Sequence, residues 1–216
     1  INNSRLESRL NLSDSFFEGP IPTELGSIPL THLDLSMNEF TIPLPTELGQ
    51  LSTIDELRLV DMGLLAVPSF VFNLANLVDL TLDDNPFEGT FPSGWDAMTS
   101  LTSLSIRTQS GSFPGNVSQR SILPADIGSV TTLQVLTLSG IPFTGVGVPI
   151  EFGQLTQLQV LRLEGNSLTG SIADDVIANW TALRELSIHN SDLTGAILCG
   201  NHAPNFVALV SCWKFE

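Results

Sequence analysis

Residues 158–172 read LQVLRLEGNSLTGSI. Leu161 and Leu163 alternate with Arg162 and Glu164, so one side of a short strand points inward. Asn166 and Gly170 follow at the turns, where glycine permits backbone angles that other residues resist. The L-x-x-L-x-L frame starts at Leu30, Ile54, Leu77, Leu101, Leu133, Leu158 and Leu183, at spacings of 24, 23, 24, 32, 25 and 25 residues. An eighth copy lies around Leu10 and Leu12, with Glu7 in place of the first leucine. Ile21-Pro22, Leu44-Pro45, Val67-Pro68, Leu123-Pro124 and Val148-Pro149 repeat a proline step that favours an extended return path on the outer side. Leu25-Gly26, Leu48-Gly49, Ile127-Gly128 and Phe152-Gly153 end that segment. One coil cannot bury its own leucines, but stacked coils share a continuous core with nearest-neighbour stability.

The composition agrees with a folded chain. Of 216 residues, 42% are apolar, which is too many for a disordered acidic chain. The 23 acids and 8 bases give a net charge of −15, a poor basis for sequence-independent binding to nucleic-acid phosphates. No run approaches the ~18–20 apolar residues of a membrane span, so membrane attachment would come only through segments outside this chain. Ile1-Asn2-Asn3-Ser4 carries no secretory or transit signature, so any such signal also lies outside.

The repeat resembles the leucine-rich repeat family in its plant-type extracellular form, over roughly residues 7–198. The clearest copies are Asn85-Phe87-Gly89-Phe91-Pro92 and Asn166-Leu168-Gly170-Ile172. The resemblance implies an α/β solenoid, a right-handed superhelix with about eight parallel concave strands and a mostly irregular or 3-10 convex side. At ~4.8 Å per strand, eight strands make a parallel sheet roughly 35 Å long. Its exposed positions form the expected recognition surface. The resemblance further implies a non-catalytic module, without cofactor, that binds a protein, peptide or polysaccharide on the concave face and rim. An inhibitor of a secreted wall hydrolase, similar to polygalacturonase inhibitors, and a structural wall or matrix protein are the alternative readings.

Two columns run through the coils. Asn38, Asn85 and Asn166 can satisfy turn backbones that stacking removes from water, while Ser15, Met62, Gln109, Ile141 and Ser191 take the other slots. Phe17, Phe40, Phe87 and Phe143 share a column with Leu64, Leu168 and Leu193, which predicts an aromatic core spine.

The ends depart from the repeat. Residues 1–6 read as the tail of a preceding repeat or an atypical N-terminal cap, which predicts exposed apolar surface and a bare sheet edge. Residues 199–216 read as a C-terminal cap. The chain's two cysteines, Cys199 and Cys212, sit together there, and a disulfide between them is expected. Two free buried thiols are the alternative. The fifth repeat carries about eight extra residues within 110–122, where Gly111, Pro114 and Gly115 mark a turn-rich loop of the kind that contacts partners. Phe113 is expected to tether that loop to the core.

Sequons occur at Asn2, Asn11, Asn116 and Asn179. With the expected disulfide, they point to a secreted or cell-surface glycoprotein. An intracellular protein with unused sequons is the other reading. Asn11 is expected on the exposed side of the first strand and Asn179 on the outer side.

The candidate ligand-binding residues on the concave face are Asp34, Glu56, Arg58, Asp79, Asp83, Arg107, Arg162, Glu164 and His189. The N-terminal half is acidic, with Glu56 and Asp79 in one column and Asp61 and Asp84 in another. Like charges across a ladder repel, which suits either a solvated face or a docking patch for a basic segment. A Ca²⁺ site would need ~6–8 converging oxygens, and no metal site is assigned. His32 and His189 stand six strands apart, roughly 29 Å, too far to share a proton or metal. His32, Asp34 and Ser36 alternate along one strand and are expected to face solvent, beyond hydrogen-bond reach of one another.

Overall fold

The computed structural model describes residues 8–88, 91–108, 122–141 and 143–194. Residues 1–6, the sequons at Asn2 and Asn116, Gln109, the insertion up to Ser121 with Phe113, and the Cys199–Cys212 cap lie outside the described residues.

Among the described residues there are thirteen short strands: β1 (Arg9–Asn11), β2 (Glu18–Gly19), β3 (His32–Asp34), β4 (Glu39–Phe40), β5 (Glu56–Arg58), β6 (Asp79–Thr81), β7 (Ser103–Arg107), β8 (Val135–Ser139), β9 (Thr144–Val146), β10 (Val160–Arg162), β11 (Ser167–Gly170), β12 (Glu185–Ser187) and β13 (Asp192–Leu193). Eight of them form one sheet in the order β1-β3-β5-β6-β7-β8-β10-β12, with β1 at its edge. All seven pairings are parallel, and each sets the inward leucine of one strand beside that of the next, as in Leu33↔Leu57↔Leu80↔Leu104↔Leu136↔Leu161. Those leucines are 0–1% exposed. This is the expected solenoid.

A feature outside the sequence reading is a second set of lateral sheets. β2 pairs β4, and β13, β11 and β9 form a three-stranded ladder, all parallel. They lie just after the Asn turns, where the chain was expected only to bend.

The concave strands end in a shared conformation. Asp14, Met37, Asp61, Asp84, Gly140, Gly165 and Asn190, each two residues past the last inward side chain, all have φ between 49° and 72°. Asp, Asn and Gly tolerate this left-handed region best, so Met37 is the strained member. At Gly140 a Cβ would also lie 2.3 Å from the Thr108 carbonyl oxygen, so the site excludes larger residues.

On the convex side, Pro22, Pro45, Pro68, Pro124 and Pro149 each precede a 3-10 turn, at Thr23–Ser27, Thr46–Gln50, Ser69–Asn73, Ala125–Ser129 and Ile150–Gln154. One α-helix, α1 (Asp174–Asn179), replaces the turn in the later coil. No described helix is long and apolar enough to cross a membrane. Trp95 and Trp180 are almost fully buried, with their indole N–H groups donating to the Pro92 and Phe152 carbonyls at 3.0 and 2.8 Å. Phe72 meets Trp95 edge-on at 5.2 Å, and Phe91 stacks on it at 5.7 Å.

The aromatic spine holds only in the middle. Phe87 and Phe143 are buried, but Phe17 is 44% exposed and Phe40 only partly buried, the two stacking at 5.9 Å. Phe17 belongs to the first described coil, which has a neighbour on one side only among the described residues. A cavity of about 260 Å³ lined by Leu10, Leu12, Ile21, Leu25, Ile28, Leu35 and Phe40 opens at this end.

Candidate recognition face

Pleating places three columns on the concave side of the main sheet. The first runs Arg9, His32, Glu56, Asp79, Ser103, Val135, Val160 and Glu185. The second runs Asn11, Asp34, Arg58, Thr81, Ser105, Thr137, Arg162 and Ser187. Arg107 lies beside Ser139 in the third, and the ladder extends to Glu164 and His189 through Gly140 N–H to Glu164 O (2.8 Å) and Gly165 N–H to His189 O (3.1 Å).

The acidic half is largely engaged within the protein. Glu56 accepts a hydrogen bond from the Arg58 guanidinium and lies 3.5 Å from His32 Nε2. That hydrogen bond is the main cause holding Arg58 above its ordinary pKa; burial opposes it, and the charges of Glu56, Asp79 and Asp34 add to it. Asp34 Oδ1 accepts the Ser36 N–H at 3.0 Å, and Asp79 Oδ1 accepts the Thr81 hydroxyl at 3.3 Å. Among the described residues no cluster of three or more His, Cys, Asp or Glu side chains could hold a metal ion.

Two placements differ from expectation. Asp83 is only 8% exposed; its Oδ1 accepts the Ser105 hydroxyl at 2.8 Å and the Arg107 N–H at 2.9 Å. It braces neighbouring strands, because a short carboxylate beside a free N–H on the next strand is best satisfied there. Ser36 does not face solvent: it is 3% exposed and its hydroxyl accepts the Val60 N–H at 3.0 Å. His32 turns instead to the Thr31 hydroxyl at 2.8 Å, so His32, Asp34 and Ser36 form no proton-relay chain.

The C-terminal half is organised differently. Arg162 forms a fork on Glu185, at 2.6 and 2.9 Å. Such a bidentate pair fixes both side chains. Arg107 is 59% exposed at its side chain and reaches Asp83 Oδ2 only at 3.6 Å. His189 is exposed, with Nδ1 3.0 Å from the Ser187 hydroxyl. Thr137 and Ser139, though on concave strand positions, are only 5% and 2% exposed. Of the sequons within the described residues, Asn11 is exposed on β1, and Asn179 is exposed at the end of α1 on the convex side.

The profile of the Leucine Rich Repeat family matches residues 29–51 and 157–178. No curated protein matches the sequence. Among solved structures, the chain is similar to the LRR ectodomain of the plant membrane receptor kinase GASSHO1/SCHENGEN3 from Arabidopsis thaliana, in complex with CASPARIAN STRIP INTEGRITY FACTOR 2. That match has 28% identity and a TM-score of 0.74, over 88% of this chain and 22% of that one. The ectodomain of the Arabidopsis receptor kinase HAESA, in complex with an N-terminally extended IDA peptide hormone ligand, is 28% identical with a TM-score of 0.68, over 86% and 30%. Internalin C2 of Listeria monocytogenes shares the fold, with 18% identity and a TM-score of 0.69 over 93% and 79%. The chain thus spans less than a third of either receptor ectodomain. In its repeat and its parallel concave sheet, the chain carries leucine-rich repeats and is similar to plant receptor ectodomains of that type.

Proposed function

We propose that this chain is a non-catalytic recognition module of the receptor-ectodomain kind, docking an extended peptide segment of a partner along its concave face. The observation that carries this reading is the face itself. It is an eight-stranded parallel ladder of polar side chains, held rigid by a shared leucine core. Its columns repeat at strand spacing and offer charges of both signs. The HAESA ectodomain, at 28% identity and in complex with a peptide hormone ligand, supports the same reading. Asp34, Glu56, Arg58, Asp79, Arg107, Arg162, Glu164 and His189 are the contact candidates. Asp83 contributes by fixing the backbone beneath Arg107.

An extracellular setting belongs to this proposal. It includes glycans at Asn11 and Asn179, of which only the first borders the concave face, and a Cys199–Cys212 disulfide. Selection of displayed random peptides on the chain tests the function. Selected peptides should bind saturably and lose about tenfold or more in affinity on Arg162→Glu, against an unchanged convex variant, Glu47→Lys. Peptides indifferent to Arg162→Glu and sensitive to Glu47→Lys would overturn the reading.

A further inference from the structure

Most charged groups of the concave face already have partners inside the protein; among the described residues four buried side-chain oxygens do not, on Asp84, Ser139, Glu164 and Asn166, and two of them share one concave column. Ser139 is 2% exposed, and its hydroxyl has no hydrogen-bond partner. It is the last residue of β8, one past the inward Leu138, on the concave column beside Arg107. Glu164 follows Ser139 in the same column, one strand on, and its Oε2 is also buried without a partner. A buried carboxylate oxygen and a buried hydroxyl left unpaired are each unfavourable, and native structures rarely keep them without cause. The neighbouring cations do not relieve them: Arg162 is engaged by Glu185 through both oxygens, and Arg107, beside Ser139, lies 3.6 Å from Asp83 Oδ2.

We propose that Ser139 and Glu164 form a subsite for a cationic N–H donor of the docked peptide, a lysine ammonium or an arginine guanidinium. Either group satisfies both orphaned atoms at once: it donates to Glu164 Oε2 as an ion pair and to the neutral Ser139 Oγ through a second N–H. Arg107 on one side of the column and His189 on the other border the place where the rest of the peptide would continue. The inference deepens the peptide-docking reading and shifts its centre. The basic residue is recognised in the C-terminal half, and not at Asp34, Glu56 and Asp79, whose carboxylates are held by Ser36, Arg58 and Thr81.

The test is a titration of the isotope-labelled chain, followed by amide NMR shifts, with Nα-acetyl-lysine amide as probe. Nα-acetyl-norleucine amide, which lacks the charge, is the control. Saturable shifts centred on residues 139 and 164 are expected with the lysine probe and not with the control. Glu164→Gln should weaken the lysine probe about tenfold and Ser139→Ala several-fold, with circular dichroism unchanged. Equal shifts from both probes overturn the subsite, as does a lysine response that Glu164→Gln leaves intact. Lysine shifts centred on Asp34, Glu56 and Asp79 overturn the subsite while leaving peptide docking standing. No saturable shift with either probe overturns it as well, and peptide selection then decides the wider reading separately.

Discussion

Asn85 and Asn166 occupy equivalent turns, yet only one is fully used. Asn85 donates to the Leu59, Leu82 and Asp83 carbonyls and accepts from the Met62 and Leu64 N–H groups, bridging two coils. Asn38 makes the matching set, to Leu12, Leu35 and Ser36 and from Ser15 and Phe17. Asn166 donates to Leu138 and Leu163, but its Oδ1 has no partner, because the Phe143 N–H turns to Ile141 O at 2.6 Å. Asn85→Ala should therefore cost about 2–4 kcal/mol, leaving several buried backbone groups unpaired, and Asn166→Ala roughly half as much. Urea denaturation of the two variants checks the order; equal losses would contradict it. The asparagine column was plain in the sequence, since the residue recurs at a fixed offset from the strand leucines. Its unequal use was not, because the partner of each Oδ1 is set by the backbone of a different coil.

Among the convex turns, contacts between successive coils decide which residues fit. Gly128 shows this: a Cβ there would stand 2.4 Å from the Glu151 backbone. At Gly63 the space is open and only the positive φ of 69° restricts substitution. Gly128→Ala should thus destabilise by about 2 kcal/mol or more, and Gly63→Ala by about 1 kcal/mol, measured as shifts in urea midpoint. Asp126 binds the turn at Trp95–Ala97 from the next coil, its Oδ2 accepting the Gly94 and Trp95 N–H groups at 2.6 and 3.1 Å. Asp126→Ala should cost about 1–2 kcal/mol, and Asp126→Asn less, by the same assay. The Gly-Pro rhythm foretold a narrow return path. The lateral strands escaped notice because strands of two to four residues, without the recurring leucine frame, carry too little alternation to register.

Across the molecule, stacking and charge act in opposition. Each inner coil is covered on both sides, whereas among the described residues β1 pairs only with β3 and borders the open apolar cavity. Amide exchange should be fastest at β1 and slowest near β6 and β7; uniform protection would contradict nearest-neighbour stability. The net charge of −15 strains the compact state through self-repulsion. Raising NaCl from about 0.01 to 0.15 M should increase the melting temperature, because the screening length falls from ~30 to ~8 Å. A fall in melting temperature would show that the internal pairs, Arg162 with Glu185 and Arg58 with Glu56, outweigh the repulsion. The spacing of leucine, asparagine, glycine and proline was enough to specify the coil, its strand and the face that turns outward, since each depends on contacts local to one repeat or on its exact recurrence. Which outward residues are free for a ligand was settled only by the fold. Asp83 and Glu164 look alike along the chain, but neighbouring coils bring donors to the first and none to the second.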